Sequence, residues 1–147
     1  MASHSELNTF GSVLTFAVYL EDTARTFYES LSENDHHPFS REFLKELIEG
    51  NRKRGELLER MRRENVVEMV LERISGIDQR EYVIDLSHAA DKLDASAVKF
   101  ALELEERMRR FYADSANKTS FLPEVSRTLD RLARNSAERE ARIRALD

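Results

Sequence analysis

The chain lacks cysteine and has few of the residues that interrupt helices. Its 147 residues include four glycines and two prolines, and charged residues make up 35% of the composition. Without cysteine, disulfides, thiolate metal sites and a cysteine nucleophile are all excluded. The absence of disulfides fits the cytoplasm, which is the location we expect. Few glycines and prolines with abundant charge favour helices with solvated outer faces over a sheet.

Long apolar runs are also absent. No stretch approaches the roughly 20 apolar residues that span a bilayer. The opening residues Met1–Glu6 show no basic region followed by an apolar run, so we expect no signal peptide. The net charge of −5 argues against a general nucleic-acid binder, and basic clusters such as Arg52–Arg54 are interpreted as solvated helix faces. We therefore expect neither nucleic acid nor membrane as a partner.

Four long helices are predicted, joined by two short loops and one long connection. The first stops at the polar cluster Asn34–His37, and Pro38 is predicted to open the second, since proline suits a first helical turn. Short loops make each pair of helices an antiparallel hairpin, and a long connection can travel the length of a bundle. We therefore predict one all-α domain over residues 1–147, an antiparallel four-helix bundle. Its helices are expected at about 6–33, 38–65, 86–116 (starting near Leu86 or Asp94) and 123–147, with a long crossover at 66–93.

One helical sequence occurs twice in the chain. Phe16–Tyr28 returns as Phe100–Tyr112, 84 positions further along, with Phe, Ala, Leu, Glu, Arg, Phe and Tyr in register. Each copy puts a carboxylate, Glu21 or Glu105, in the middle of an apolar helical stripe. An ionised carboxylate in that position is costly unless a cation faces it.

The other two helices are polar at the corresponding height. Residues at alternating spacings of three and four define one inward seam on each helix, apolar at both ends and polar in the middle. The polar middle consists of Asn51 and Arg54 in the second helix and of Ser136 and Arg139 in the fourth. The four helices thus bring their inward polar residues to one level of the bundle.

This layout resembles the ferritin-like di-iron carboxylate proteins, and in particular the rubrerythrin branch. Two helices each supply one inward Glu, followed seven residues later by Tyr28 or Tyr112, and two partner helices each supply a polar pair three residues apart. The resemblance spans most of the chain. It implies a ferritin-like bundle, two helical hairpins joined by a long crossover, with both tyrosines beside the centre.

The chain departs from the family in its partner helices. There the family carries Glu-x-x-His, a bridging carboxylate and an imidazole ligand, whereas this chain has Asn51 with Arg54 and Ser136 with Arg139. A guanidinium has only donors and cannot bind a metal. The resemblance therefore implies a degenerate di-iron site with no metal or other cofactor. Any metal that did bind would have only Glu21 and Glu105 of the family's ligands.

We expect the two carboxylates to pair with Arg54 and Arg139, forming a salt-bridged cluster in the former metal site. The alternative is that both arginines extend outward over apolar neighbours. With no recognisable catalytic set, the protein is predicted to be a non-catalytic binding or scaffolding protein. A homodimer or a protein partner is expected through a helical face. Candidates for that face are the aromatic residues off the seams: Phe10, Phe16, Phe27, Phe43, Phe100 and Phe111.

Two other functions stay open at this point. One is a ferritin-like di-iron oxidoreductase or iron-handling protein with a non-standard ligand set, holding iron or manganese through Glu21, Glu105 and other carboxylates. The second is an arginine-lined centre that binds a small anion. The fragments Glu33–His36 and Asp85–His88 mimic metal-ligand spacing, but they fall at helix ends. A shift of register would supply the first function with Glu49, Glu56, Glu103 or Glu138.

Overall fold

A computed structural model describes residues 6–65, 67–68, 73–86, 94 and 96–146. This part of the chain forms four long helices and a single 3-10 turn at Gln79–Glu81, with two isolated β-bridges and no strand. The all-α fold class and the four helices are confirmed. The helices are α1 Phe10–Ser32, α2 Arg41–Glu64, α3 Ala97–Lys118 and α4 Pro123–Arg144.

The first helix begins later than predicted because a reciprocal cap fixes its start. The Thr9 hydroxyl accepts a hydrogen bond from the Ser12 amide, and the Ser12 hydroxyl accepts one from the Thr9 amide. Such an exchange satisfies two backbone donors that have no partner inside the helix. The fourth helix begins at Pro123, where the missing N–H costs no helical hydrogen bond.

The prediction that Pro38 opens the second helix is wrong. α2 begins at Arg41, because the Ser40 hydroxyl accepts a hydrogen bond from the Phe43 amide at 3.1 Å and acts as the N-cap. Pro38 stays in the loop. In the same loop, His37 Nε2 lies 2.6 Å from the Leu31 carbonyl oxygen and so contacts the last turn of α1.

Aromatic contacts show that α1 and α3 are neighbours that run in opposite directions. Phe16 packs against Phe111 with ring centroids 5.1 Å apart, and Phe27 packs against Phe100 at 4.6 Å. As one helix rises from Phe16 to Phe27, the other therefore descends from Phe111 to Phe100. The two copies of the repeat face each other across this contact.

The helices α2 and α4 are also antiparallel neighbours. The Arg142 guanidinium lies 4.4 Å from the Phe43 ring centroid near one end of the pair, and Met61 and Val125 line one groove near the other end. α1 and α2 are likewise antiparallel, since Tyr28 packs near Phe39 and Val18 shares a groove with residues late in α2. Consequently α2 and α3 point in the same direction.

Residues 73–86 pack on the outer side of α1 and α3. The Leu7 amide donates to the Ile77 carbonyl at 2.8 Å, and Arg107 of α3 donates to the Val83 carbonyl at 2.9 Å. Tyr82 is buried and donates its hydroxyl to Asp114 of α3. Gly76 permits the turn through a positive φ of 85°. The remaining parts of the predicted crossover, residues 66, 69–72 and 87–93, lie outside the described residues, as does part of the predicted start of the third helix.

The aromatic face predicted for a homodimer is wrong. Phe10, Phe16, Phe27, Phe43 and Phe111 are all buried within this chain, and Phe100 is half-buried. They belong to the hydrophobic core: Tyr82 of the segment 73–86 covers Phe111, which packs against Phe16. The others pack against aromatic rings of the helices and loops, Phe10 against Phe121, Phe27 against Phe100 and Phe43 against Phe39. None of the helices in the described part is long and apolar enough to cross a membrane.

Candidate functional site

Two carboxylates lie in the core, one on each copy of the repeat. Glu21 is 1% exposed and Glu105 is 0% exposed. Each sits mid-helix among buried small or apolar residues, with Ala17 and Ala24 on the same face of α1. Water cannot solvate these side chains, so protein groups have to supply the compensating donors and charge.

Each tyrosine of the repeat donates a hydrogen bond to the carboxylate of the other copy. The Tyr28 hydroxyl donates to Glu105 Oε2 at 2.6 Å, and the Tyr112 hydroxyl donates to Glu21 Oε2. The exchange arises because the tyrosine lies two turns after the Glu in each helix and the helices are antiparallel. Burial, followed by the charge of the adjacent carboxylate, raises the pKa of both tyrosines well above the ordinary value.

Asn51 connects the two halves of the centre. Its Nδ2 donates to Glu21 Oε1 at 2.7 Å, and its Oδ1 accepts from Arg139 Nη1 at 3.4 Å. Asparagine suits this position because its amide offers a donor and an acceptor at once. The side chain is 1% exposed and lies on α2 between α1 and α4.

Arg139 links α4 to two other helices through one guanidinium. Its Nη1 donates to Glu105 Oε2 on α3 at 3.2 Å, and its Nη2 donates to the Leu47 carbonyl on α2 at 3.0 Å. The side chain is only 11% exposed. A buried ion pair of this kind depends on further hydrogen bonds to its remaining polar groups, and the Asn51 and Leu47 oxygens supply two of them to Arg139.

Gly50 makes room for that guanidinium. A Cβ atom at position 50 would lie 2.5 Å from Arg139 Nη2, whereas a Cβ at Gly55 on the same helix would meet nothing within 4 Å. The arginine crosses α2 where the helix has no side chain. Of the two glycines of α2, Gly50 therefore lies against the site, where a side chain would shift the Arg139 guanidinium, and Gly55 does not.

Arg54 is buried but poorly satisfied. Its Nε lies 3.5 Å from Glu21 Oε1, while Nη1 and Nη2 are buried and make no hydrogen bond within the described part of the chain. Burial disfavours the charged form, but the charges of Glu21 and Glu105 outweigh that effect and raise the pKa of Arg54. The guanidinium is therefore a fixed cation with unused donors.

The two halves of the centre are not equivalent. Ser136 occupies the position that corresponds to Asn51, and it is fully buried with no partner for its hydroxyl among the described residues. Glu105 Oε1 is likewise buried without a donor, whereas both oxygens of Glu21 accept hydrogen bonds. The carboxylate in the half built around Asn51 is thus fully paired and Glu105 is not, whereas among the arginines Arg139 is the better paired and Arg54 the poorer.

Hydrogen bonds and ion pairs join seven of the eight predicted residues, and the eighth, Ser136, is buried on α4 with no hydrogen bond among the described residues. The two arginines point inward, not outward, and the individual pairs, which the sequence left open, are Arg54 with Glu21 and Arg139 with Glu105. The exchange of tyrosines, the bridging amide and the role of Gly50 were not predicted. The donors and acceptors form one continuous path through all four helices: Tyr112, Glu21, Asn51, Arg139, Glu105 and Tyr28.

These residues do not fit a di-iron centre. Two carboxylates face two guanidinium groups that cannot ligate, and three of the four carboxylate oxygens already accept hydrogen bonds. Within the described residues, no group of three His, Asp or Glu side chains could hold a metal ion. The fragment Glu33–His36 lies in the exposed loop after α1, and His88 lies outside the described residues. The four carboxylates considered for a shifted register, Glu49, Glu56, Glu103 and Glu138, are all exposed.

Comparison of the chain with protein-family models, with curated proteins and with solved structures finds no match.

The buried pairing predicts a large difference between two arginines of the same helix. Arg54→Ala should lower the free energy of unfolding by about 3–5 kcal/mol, because it leaves Glu21 buried without a cation. The double variant Glu21→Gln with Arg54→Met should lose less, since it removes both charges. Arg52→Ala, which breaks exposed ion pairs with Glu49 and Glu56, serves as the control and should cost far less stability, because solvent screens exposed pairs. Chemical denaturation measures all three, and equal losses for the first two variants would contradict the pairing.

The two glycines of α2 should respond in opposite ways to alanine. Gly55→Ala should raise the free energy of unfolding by about 0.5–1 kcal/mol, because alanine favours the helix and the Cβ meets nothing. Gly50→Ala should lower the stability, because it pushes Arg139 away from Glu105 and Asn51. A stabilising effect at both positions would show that Arg139 is not held against α2. Thermal and urea denaturation of the matched pair provide the measurement.

The core tyrosines should make the fold sensitive to alkali. Tyrosine in an unfolded chain titrates near pH ~10, and the raised pKa of Tyr28 and Tyr112 means that the folded state holds these protons more tightly. Their contribution is complete below pH ~10 and is lost above it, by up to about 1.4 kcal/mol per pH unit for each tyrosine. The variant Tyr28→Phe with Tyr112→Phe should be less stable at pH 7 but should lose stability less steeply above pH ~10. Urea denaturation across that range decides, and identical slopes would refute the prediction.

Proposed function

We propose that this protein is a ferritin-like bundle of the rubrerythrin type that has lost its di-iron centre. It acts as a non-catalytic binding or scaffolding protein in the cytoplasm, as a homodimer or with a protein partner. One observation carries the proposal: the two carboxylates of the repeat are each faced by a guanidinium, at 3.5 Å for Glu21 and Arg54 and at 3.2 Å for Glu105 and Arg139.

The arrangement of the helices supports the ferritin-like assignment. The carboxylates lie on α1 and α3, and their partner residues lie on α2 and α4, as in the family. Because α2 and α3 point the same way, the end of α2 at Glu64 and the start of α3 at Ala97 lie toward opposite ends of the bundle, which supports a long crossover between them. The contacts of residues 73–86 with α1 and α3 agree with such a crossover.

Charge balance explains how the centre tolerates the loss of metal. A reduced di-iron site sets four carboxylates against two divalent ions, which is close to neutral. Here two carboxylates stand against two guanidinium groups, which is neutral again. Arg139 also donates to Glu105 and to the Leu47 carbonyl, and Arg54 Nε lies beside Glu21, so each cation is close to an oxygen of the centre. The centre therefore holds the four helices in register instead of carrying redox chemistry.

Metal content tests this proposal most directly. Protein purified after growth with excess iron, and separately with excess manganese, should contain metal far below one ion per chain. Elemental analysis gives the number. Near-stoichiometric iron or manganese that is lost in Glu21→Ala would overturn the proposal and favour an iron-handling protein or a di-iron oxidoreductase.

A rebuilt variant provides the matched positive control. Asn51→Glu with Arg54→His in α2, combined with Ser136→Glu and Arg139→His in α4, restores Glu-x-x-His in both partner helices. On this proposal the fourfold variant should bind about two divalent ions per chain, measured by titration with cobalt, while the parent chain binds none. Equal uptake by both proteins would show that the arginines do not replace the metal.

A further inference from the structure

Three side chains of the centre carry buried polar atoms that have no hydrogen-bond partner among the described residues. These atoms are Nη1 and Nη2 of Arg54, Oε1 of Glu105 and the hydroxyl oxygen of Ser136. Glu105 and Ser136 are 0% exposed and Arg54 is 7% exposed, so bulk solvent does not solvate them. A buried donor or acceptor that stays unpaired loses the free energy of its hydration. These atoms therefore require partners inside the core.

The unpaired atoms are complementary in kind. The Arg54 nitrogens can only donate, the ionised Glu105 oxygen can only accept, and the Ser136 hydroxyl can do both. No direct hydrogen bond joins any two of them. A small group that both donates and accepts would pair with all three side chains.

Other contacts place these side chains around one part of the centre. Arg54 Nε lies 3.5 Å from Glu21 Oε1. Burial lowers the pKa of Arg54, but the charges of Glu21 and Glu105 outweigh that effect and raise it, as expected for a guanidinium near both carboxylates. Ser136 precedes Arg139 by one turn of α4, and Arg139 donates to the other oxygen of Glu105 at 3.2 Å. The unpaired groups of α2, α3 and α4 thus converge on the half that contains Glu105.

The two halves of the centre differ by one amide group. Asn51 donates its Nδ2 to Glu21 Oε1 at 2.7 Å, whereas Ser136, at the corresponding position, ends at its hydroxyl. Glu105 Oε1 therefore lacks the donor that Glu21 has. A water molecule, which takes up about 30 Å³ in the liquid, is small enough to stand in for an amide and, like an amide, both donates and accepts.

We propose that the centre binds an internal water molecule that donates to Glu105 Oε1, accepts from the Arg54 guanidinium and pairs with the Ser136 hydroxyl. Buried waters typically make about three hydrogen bonds to polar groups that are otherwise unpaired, which is the number available here. Through this water, Arg54 would stabilise Glu105 as well as Glu21. The inference goes beyond the proposed function and does not depend on it, because it uses only the contacts of the centre.

A crystal structure of the chelator-treated protein, at a resolution that shows ordered water, tests the proposal directly. We expect a water oxygen about 2.7–3.2 Å from Glu105 Oε1 and at a similar distance from Ser136 Oγ or an Nη atom of Arg54. A direct hydrogen bond from Arg54 or Ser136 to Glu105 Oε1, with no water between them, would overturn the proposal. Crystals grown in bromide exclude a halide, since an anomalous peak at the site would equally overturn it.

A change of one side chain tests the same water in solution. Ser136→Asn supplies the amide that Asn51 supplies in the other half, so it should donate directly to Glu105 and displace the water. Magnetic relaxation dispersion of deuterium and oxygen-17 counts the water molecules that stay bound longer than the protein takes to tumble. The variant should hold one such water fewer than the parent. Ser120→Asn, at an exposed serine between α3 and α4, is the matched control and should leave the number unchanged.

Each outcome in solution bears on the proposal. Loss of one long-lived water in Ser136→Asn, but not in Ser120→Asn, supports it. Equal numbers in the parent and both variants, or no long-lived water in the parent, would contradict it. If Ser136→Asn does not fold, the crystal structure of the parent protein decides.

Discussion

The structure depends on the compensation of two ionised carboxylates in the middle of the core. Glu21 and Glu105 draw their donors from all four helices, and each donor is directional. An apolar seam tolerates small shifts of one helix along another more readily than hydrogen bonds do. The position of each helix along its axis, relative to its neighbours, is therefore set by the tyrosine hydroxyls, the amide and the guanidinium that donate to the two carboxylates.

Much of the fold and the membership of the site could be predicted from the sequence. Glu21, Arg54, Glu105 and Arg139 recur at helical spacing within otherwise apolar stripes, and that spacing favours an inward position. The helix limits were harder to predict. The start of α2 depends on the hydroxyl of Ser40 and not on the more conspicuous Pro38. The aromatic residues were wrongly predicted to form an exposed face. The spacing of seam residues on the helices does not show that another segment, here residues 73–86, packs on the side away from the seam.

Which donor meets which acceptor could not be predicted. The seven-residue spacing from Glu to Tyr was visible, but the exchange between the two copies depends on the vertical offset of antiparallel helices, which no local pattern records. Gly50 carries no signal either, because its importance arises from an arginine 89 positions away in sequence. Asn51 and Ser136 occupy corresponding positions in the two halves. The Asn51 amide bridges Glu21 and Arg139, whereas the Ser136 hydroxyl has no hydrogen-bond partner among the described residues.

The exchange of tyrosines has a consequence for how such a chain could have arisen. Tyr28 contacts Glu105 while Tyr112 contacts Glu21, which is the reciprocal pattern of an interface with twofold symmetry. Neither hairpin holds the full set of groups for its own carboxylate. Two identical hairpins on separate chains would complete each other in the same way, so the centre has the geometry of a subunit interface enclosed within one polypeptide. A fusion of two such interdependent halves would produce the repeat and the exchange of tyrosines seen here, and the two halves of this chain differ at the position of Asn51 and Ser136.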